Sequence, residues 1–114
     1  MFDDTNIVYD EQLKNAGIVG EERTVPRSDN EKYIVCGFEN SNFKIQGKVF
    51  FSKCYIEEDS TIIVEDTGQA IFIDCEVKND IVVNGEAKFE NCEFYNGSEA
   101  TGSGEVETKN CEYN

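Results

Sequence analysis

Apolar and polar positions alternate along most of this chain in short runs, and the runs recur in one frame. The pattern is small or aliphatic, any, aromatic, any, any, Cys, any, apolar. It stands as Val49-x-Phe51-x-x-Cys54-x-Ile56, Ala70-x-Phe72-x-x-Cys75-x-Val77 and Ala87-x-Phe89-x-x-Cys92-x-Phe94. Weaker copies flank these, Tyr33-x-x-Cys36-x-Phe38 and Val106-x-Thr108-x-x-Cys111-x-Tyr113. Seven residues before four of the cysteines stands a glycine, Gly47, Gly68, Gly85 or Gly104, and before the first stands Asp29. A second alternating run precedes each glycine: Phe43-x-Ile45, Ile62-x-Val64, Ile81-x-Val83 and a weak Ala100-x-Gly102. Alternation with period two predicts strands with one buried face. The cysteines are 18, 21, 17 and 19 residues apart. Two strands and two corners fill such a repeat and leave no room for a helix.

The fold class this predicts is all-β, a short β-solenoid of about four to five coils. Coils stacked in register put like residue over like, about 4.8 Å apart. A Phe51–Phe72–Phe89 ladder and a cysteine ladder follow. The competing architecture is a sandwich, for which Asn84-Gly85 and Asn96-Gly97 would serve as hairpin turns; the constant frame favours the solenoid. Residues 31–114 are expected to form it. Residues 1–30 are expected to form a small N-terminal cap over an open end whose strand edges need cover, with one or two helical turns between Asp10 and Gly17. The alternative for this segment is a separate binding arm. Outward apolar residues, Phe50 above Ile71 and Ile63 above Val82, call for coverage by that segment or by a partner.

Two of the repeats, Phe50-Phe51-Ser52-Lys53-Cys54-Tyr55-Ile56-Glu57 and Ala70-Ile71-Phe72-Ile73-Asp74-Cys75-Glu76-Val77, resemble the paired coils of pectin methylesterases. More broadly they are similar to right-handed parallel β-helix proteins of the pectin-lyase type. The resemblance covers about half of the chain and implies a right-handed parallel β-helix. In those esterases an Asp-Phe-Ile-Phe-Gly run between the coils carries a catalytic aspartate. The matching stretch here is Thr61-Ile62-Ile63-Val64-Glu65, with Thr61 in the aspartate's place, and no arginine follows Arg27. The resemblance thus implies the fold without the esterase activity.

Charge changes the picture next. The net charge is −14, and residues 36–114 carry sixteen acids against six bases. Such a surface repels phosphates, so direct nucleic-acid binding is not expected; basic proteins, cationic ligands and divalent ions suit it. The acids also fall into columns: Glu76, Glu93 and Glu112 follow the last three cysteines, Glu86 and Glu105 open strands, and Glu90 and Glu107 add to the outward face. Neighbouring like charges destabilise a sheet. Repeated acid at one position points to a surface made to be negative; a solubility device is the alternative reading, and the sequence does not choose between them.

No histidine occurs, the cysteines belong to the core frame, and no phosphate or oxyanion loop is visible, so the chain is not expected to be an enzyme. A two-carboxylate glycosidase, a divergent carbohydrate-active β-helix, stays formally open. Five cysteines without a C-x-x-C read as reduced core residues; stacked in a line they cannot surround zinc. No metal and no cofactor are expected. The acidic N-terminus lacks the order of a secretion signal, and no run is apolar enough to span a membrane, so a cytoplasmic location is expected.

The leading functional expectation is a non-catalytic binding protein that inhibits a basic nucleic-acid-binding protein by imitating a nucleic-acid backbone. Glu76, Glu93, Glu112, Glu90, Glu107, Glu86 and Glu105 would be its contact residues. Pentapeptide-repeat solenoids that protect gyrase are similar in logic, with a different repeat. Size and charge also resemble those of phage inhibitors of bacterial defence, including anti-CRISPR proteins. The alternative is a self-assembling structural β-helix, like a bactofilin or a phage tail module. An uncapped last coil predicts a homodimer joined through residues 105–114.

Overall fold

The computed structural model describes residues 9–114. They form a parallel β-solenoid of about five turns with no helix. The first coil holds β1 (Glu11–Lys14), β2 (Gly17–Val19) and β3 (Glu22–Val25); the second holds β4 (Asn30–Ile34), β5 (Gly37–Glu39) and β6 (Asn42–Ile45). The third holds β7 (Lys48–Ser52), β8 (Tyr55–Ile56) and β9 (Thr61–Val64); the fourth, β10 (Gln69–Ile73), β11 (Glu76–Val77) and β12 (Ile81–Val83). The fifth holds β13 (Glu86–Glu90), β14 (Glu93–Phe94) and β15 (Ala100–Thr101), and β16 (Glu105–Lys109) and β17 (Glu112–Tyr113) lie on it. First strands pair into sheet A, second strands into sheet B and third strands into sheet C, all parallel.

The N-terminal part departs from the sequence reading. Residues 11–14 are strand β1, paired with β4, not helical turns, and sheets A, B and C all begin before residue 30. The boundary expected at 30/31 therefore lies inside the solenoid. Leu13, Ala16 and Ile18 occupy the aromatic, cysteine and apolar places of the frame, so the first coil is a degenerate repeat. Residues 1–8 of the expected cap lie outside the described residues.

The core is built of ladders. Phe51 and Phe72 stack with ring centroids 4.5 Å apart, and Phe72 and Phe89 at 4.6 Å, with Tyr33 continuing the column at 5.7 Å from Phe51. Phe94 and Tyr113 stack at 5.0 Å across sheet B. Offset stacking adds to the area these rings bury. The glycine column fits because the coils come close there: a Cβ on Gly47, Gly68, Gly85 or Gly104 would run into backbone carbonyl oxygens of a neighbouring turn. Phe50 and Ile71 are neighbours on the outer face of sheet A, yet each is only 7% exposed. Lys32 holds its ammonium 4.9 Å from the Phe50 ring and 5.3 Å from that of Tyr9.

Sheet A turns into sheet B through two residues in every coil, and the first is always left-handed. Asn15, Val35, Lys53, Asp74, Asn91 and Asn110 have φ between 53° and 55°. Asparagine tolerates this region and a β-branched residue does not. Val35 sits there with its side chain exposed. Val35→Asn is therefore expected to stabilise the fold by about 1 kcal/mol, read as a higher urea midpoint with an unchanged slope. The Asn96-Gly97 pair, with φ of 60° and 75°, makes a tight turn, closed by Ser98 N–H donating to Tyr95 O at 3.1 Å. It joins sheet B to sheet C; no hairpin forms, since its flanking strands belong to different sheets.

Candidate functional site

The constant two-residue corner fixes the register of sheets A and B together, and with it the acids. Glu76 pairs with Glu93 and Glu93 with Glu112 across β11, β14 and β17. Glu86 pairs with Glu105 across β13 and β16. These are two columns on two faces, separated by the left-handed corner. Glu90 and Glu107 do not extend them. Glu90 lies between Ile73 and Lys109, with Lys109 Nζ at 3.9 Å, and Glu107 lies beside Lys88. Of the seven acids named from sequence, five form uninterrupted acid columns and two alternate with lysine.

Tyr95 completes the sheet B column, and its role is not visible in the repeat. Its hydroxyl donates to Glu93 Oε2 and lies 3.4 Å from Glu76 Oε1. One proton is thereby shared between two neighbouring carboxylates, which eases the repulsion of the column. The bond to Glu93 raises the phenol pKa to about 12. Beside it lies a shallow depression of about 470 Å³ lined by Glu57, Glu58, Glu76, Lys78, Tyr95 and Asn96. Lys78 Nζ is 3.4 Å from Glu57 Oε2, so the depression presents a basic group among its acids.

A second concavity of about 370 Å³ opens at the first coil, between Leu13, Ile18, Val19 and Phe43 with Glu11, Glu21 and Tyr33. Next to it the solenoid interior is polar. Glu31, fully buried, takes the inward place that Val49, Ala70 and Ala87 hold in later coils. Arg23 takes the place of Phe43, Ile62 and Ile81. Arg23 Nε lies 2.9 and 3.0 Å from the two Glu31 oxygens, its Nη2 also bonds Glu31, and Glu11 is 3.4 Å away. Tyr33 donates its hydroxyl to Glu31 Oε1 at 2.6 Å. The bond to Glu31 pushes the Arg23 pKa up, and burial followed by the same carboxylate pushes up that of Tyr33.

The cysteines stack as a ladder of free thiols. Each sulfur reaches a carbonyl of the preceding coil: Cys54 to Tyr33 at 3.3 Å, Cys75 to Phe51 at 3.6 Å, Cys92 to Phe72 at 3.3 Å. Burial pushes the thiols of Cys36 and Cys75 up from the ordinary range, whereas the hydrogen bond with Cys75 pulls those of Cys54 and Cys92 down; what shields all four from reagents is their burial. Cys36, Cys54, Cys75 and Cys92 are buried and Cys111 is not. A native-state thiol reagent is therefore expected to label Cys111 alone, with the other four reacting only after urea is added; mass spectrometry counts the adducts. Among the described residues no cluster of acids and cysteines is arranged to hold a metal ion.

A serine ladder escaped the sequence reading. Ser41, Ser60 and Ser98 are buried at the entry to sheet C. Their hydroxyls donate to Ile18 O at 3.2 Å, Phe38 O at 2.9 Å and Val77 O at 2.9 Å in the preceding coil. Asn79 replaces serine in the fourth coil and donates to Ser60 O at 2.7 Å.

Comparison of the chain with models of protein families, with curated proteins and with solved structures returns no match. The solenoid is thus defined by its own repeat and register.

Proposed function

We propose that this chain is a non-catalytic binding protein whose acidic face occupies the basic groove of a nucleic-acid-binding protein in place of nucleic acid. The observation that carries the reading is the uninterrupted Glu76–Glu93–Glu112 column, in register across three coils. Its carboxylates repeat at about one strand spacing, 4.8 Å, against roughly 3.4 Å per phosphate along one DNA strand. The Glu86–Glu105 column on the adjoining face adds a parallel row. Where the two rows run side by side they carry about one charge per 2.4 Å, sparser than the one charge per about 1.7 Å of a duplex backbone. Repulsion along the columns costs stability, and a basic partner would relieve it. An inhibitor of a defence system of the kind phages encode fits this size and charge by analogy.

The test is capture from a host lysate at low and at high salt, with the bound protein identified. Recovery of a basic nucleic-acid enzyme that salt releases supports mimicry. The variant Glu76→Lys/Glu93→Lys/Glu112→Lys is then expected to weaken that binding by about 100-fold or more, with an unchanged circular dichroism spectrum. Undiminished binding by the folded variant overturns the reading.

A further inference from the structure

The chain holds two Asn-Gly pairs, Asn84-Gly85 and Asn96-Gly97, and the fold treats them oppositely. At such a pair the backbone nitrogen of the glycine can attack the asparagine side chain, because the glycine has no Cβ to block the approach. At Gly85 that nitrogen is engaged. The residue is buried, and its N–H donates to Val64 O at 3.2 Å. Backbone oxygens of Glu65 and Gly68 close in on it, 2.3 and 2.4 Å from where a Cβ would stand. The Asn84 amide is engaged as well, its Oδ1 accepting from Ser103 N–H at 3.3 Å and lying 3.4 Å from Ser103 Oγ. Reaction at this pair waits on a local opening of the coil.

Asn96-Gly97 is the reverse case. Both residues are exposed. Nothing lies within 4 Å of the place where a Cβ on Gly97 would stand, so its nitrogen is open to approach. Among the described residues neither the Gly97 N–H nor the Asn96 side-chain amide has a hydrogen-bond partner. The turn is held one bond further on, by Ser98 N–H on Tyr95 O, which leaves the Gly97 nitrogen unused. We propose that Asn96 is a site of self-modification, converted to aspartate and isoaspartate through a cyclic imide formed with Gly97. Hydroxide takes the Gly97 amide proton, and the nitrogen bonds to Asn96 Cγ. The Cγ–Nδ2 bond breaks, and ammonia leaves with a proton from water, which restores the hydroxide. Water then adds to one of the two imide carbonyls. Opening at the Cγ carbonyl gives aspartate. Opening at the main-chain carbonyl gives isoaspartate, whose backbone runs through Cγ and is one carbon longer. Either product sets a carboxylate at the rim of the depression lined by Glu57, Glu58 and Glu76. Isoaspartate also lengthens the turn that seats Tyr95 against Glu93 and Glu76. This inference does not rest on the acidic face having a partner.

Peptide mapping by mass spectrometry tests it on the 114-residue chain, incubated folded and in urea in a mildly alkaline buffer. Trypsin separates the two pairs, Asn84 in residues 79–88 and Asn96 in residues 89–109, and fragmentation locates the change within each peptide. In the folded protein Asn96 is expected to gain the mass of an acid over an amide at least about tenfold faster than Asn84. In urea, which removes the protection of Gly85, the two rates are expected to agree within about threefold. An isoaspartyl methyltransferase is expected to methylate the Asn96 peptide of the folded sample. Gly97→Ala, whose Cβ crowds the attacking nitrogen, is expected to slow the change by about tenfold or more, with circular dichroism confirming that the solenoid is intact. Three results overturn the proposal: Asn96 unchanged in the folded chain after the urea sample has converted, Asn84 converting as fast as Asn96 in the folded chain, or a rate at Asn96 that Gly97→Ala leaves as it was.

Discussion

Replacing Arg23 with Met is expected to destabilise the solenoid by about 3–5 kcal/mol. The reason lies in Glu31. Its carboxylate is wholly buried, and the guanidinium of Arg23 bonds both of its oxygens. Methionine fills the inward position with apolar volume, but among the described residues it leaves the buried charge held by the Tyr33 hydroxyl alone. Breaking a buried pair from one side costs far more than the pair contributes. Glu11, on the exposed side of Arg23, has a partly solvated carboxylate and gains little from the pairing. The companion variant decides the cause. Arg23→Met/Glu31→Val makes the first coils like the later ones, where the same columns hold aliphatic residues. It is expected to recover most of the lost stability. Urea denaturation measures both, and hydrogen exchange in β1 and β4 shows where the single variant opens first. A single variant within 1 kcal/mol of the parent would mean that water reaches Glu31 and solvates it.

The buried pair also explains why the first coil was not legible. Alternation is read from apolar residues, and here two inward places carry Arg23 and Glu31. Ala16 replaces the cysteine that marks each later coil. The remaining signal, Leu13-x-x-Ala16-x-Ile18 with Asn15 at the left-handed corner, fits the frame but also suits a capped helical turn. Local pattern favoured the helix, and stacking against β4 and β5 decided for the strand.

Sheets A and B were legible because the corner between them never changes length. Counting from each cysteine therefore gives the register of Phe51, Phe72 and Phe89 and that of Glu76, Glu93 and Glu112. The corner into sheet C varies: two residues follow β5, four follow β8, three follow β11 and five follow β14. Counting fails there, which hid the serine ladder. It also hid Tyr95, which follows β14 and folds back over the acid column. The interleaving of Glu90 with Lys109 was written in the frame but masked by grouping acids by sign alone.

The glycine column leads to the other large effect. Gly85→Ala is expected to destabilise the fold by about 3 kcal/mol or more, at the upper end of overpacking. None of Gly47, Gly68, Gly85 and Gly104 has a positive φ, so left-handed freedom is not what these positions use. What they use is the missing Cβ. One added at Gly85 would meet the carbonyl oxygens of Glu65 and Gly68 at once, both backbone atoms that cannot swing aside. Relief requires the coils to separate at that corner. Separation would weaken the bonds that Gly85 N–H gives to Val64 O at 3.2 Å and Glu86 N–H gives to Gly68 O at 3.1 Å. Gly97→Ala supplies the contrast. Its added Cβ meets nothing within 4 Å, and only the φ of 75° resists it. That change is expected to cost about 1 kcal/mol, a strain confined to one exposed turn. Thermal and urea unfolding of the two variants side by side separate the two mechanisms. Equal losses would show that backbone conformation, and not the close approach of neighbouring coils, is what selects glycine seven residues before Cys54, Cys75, Cys92 and Cys111.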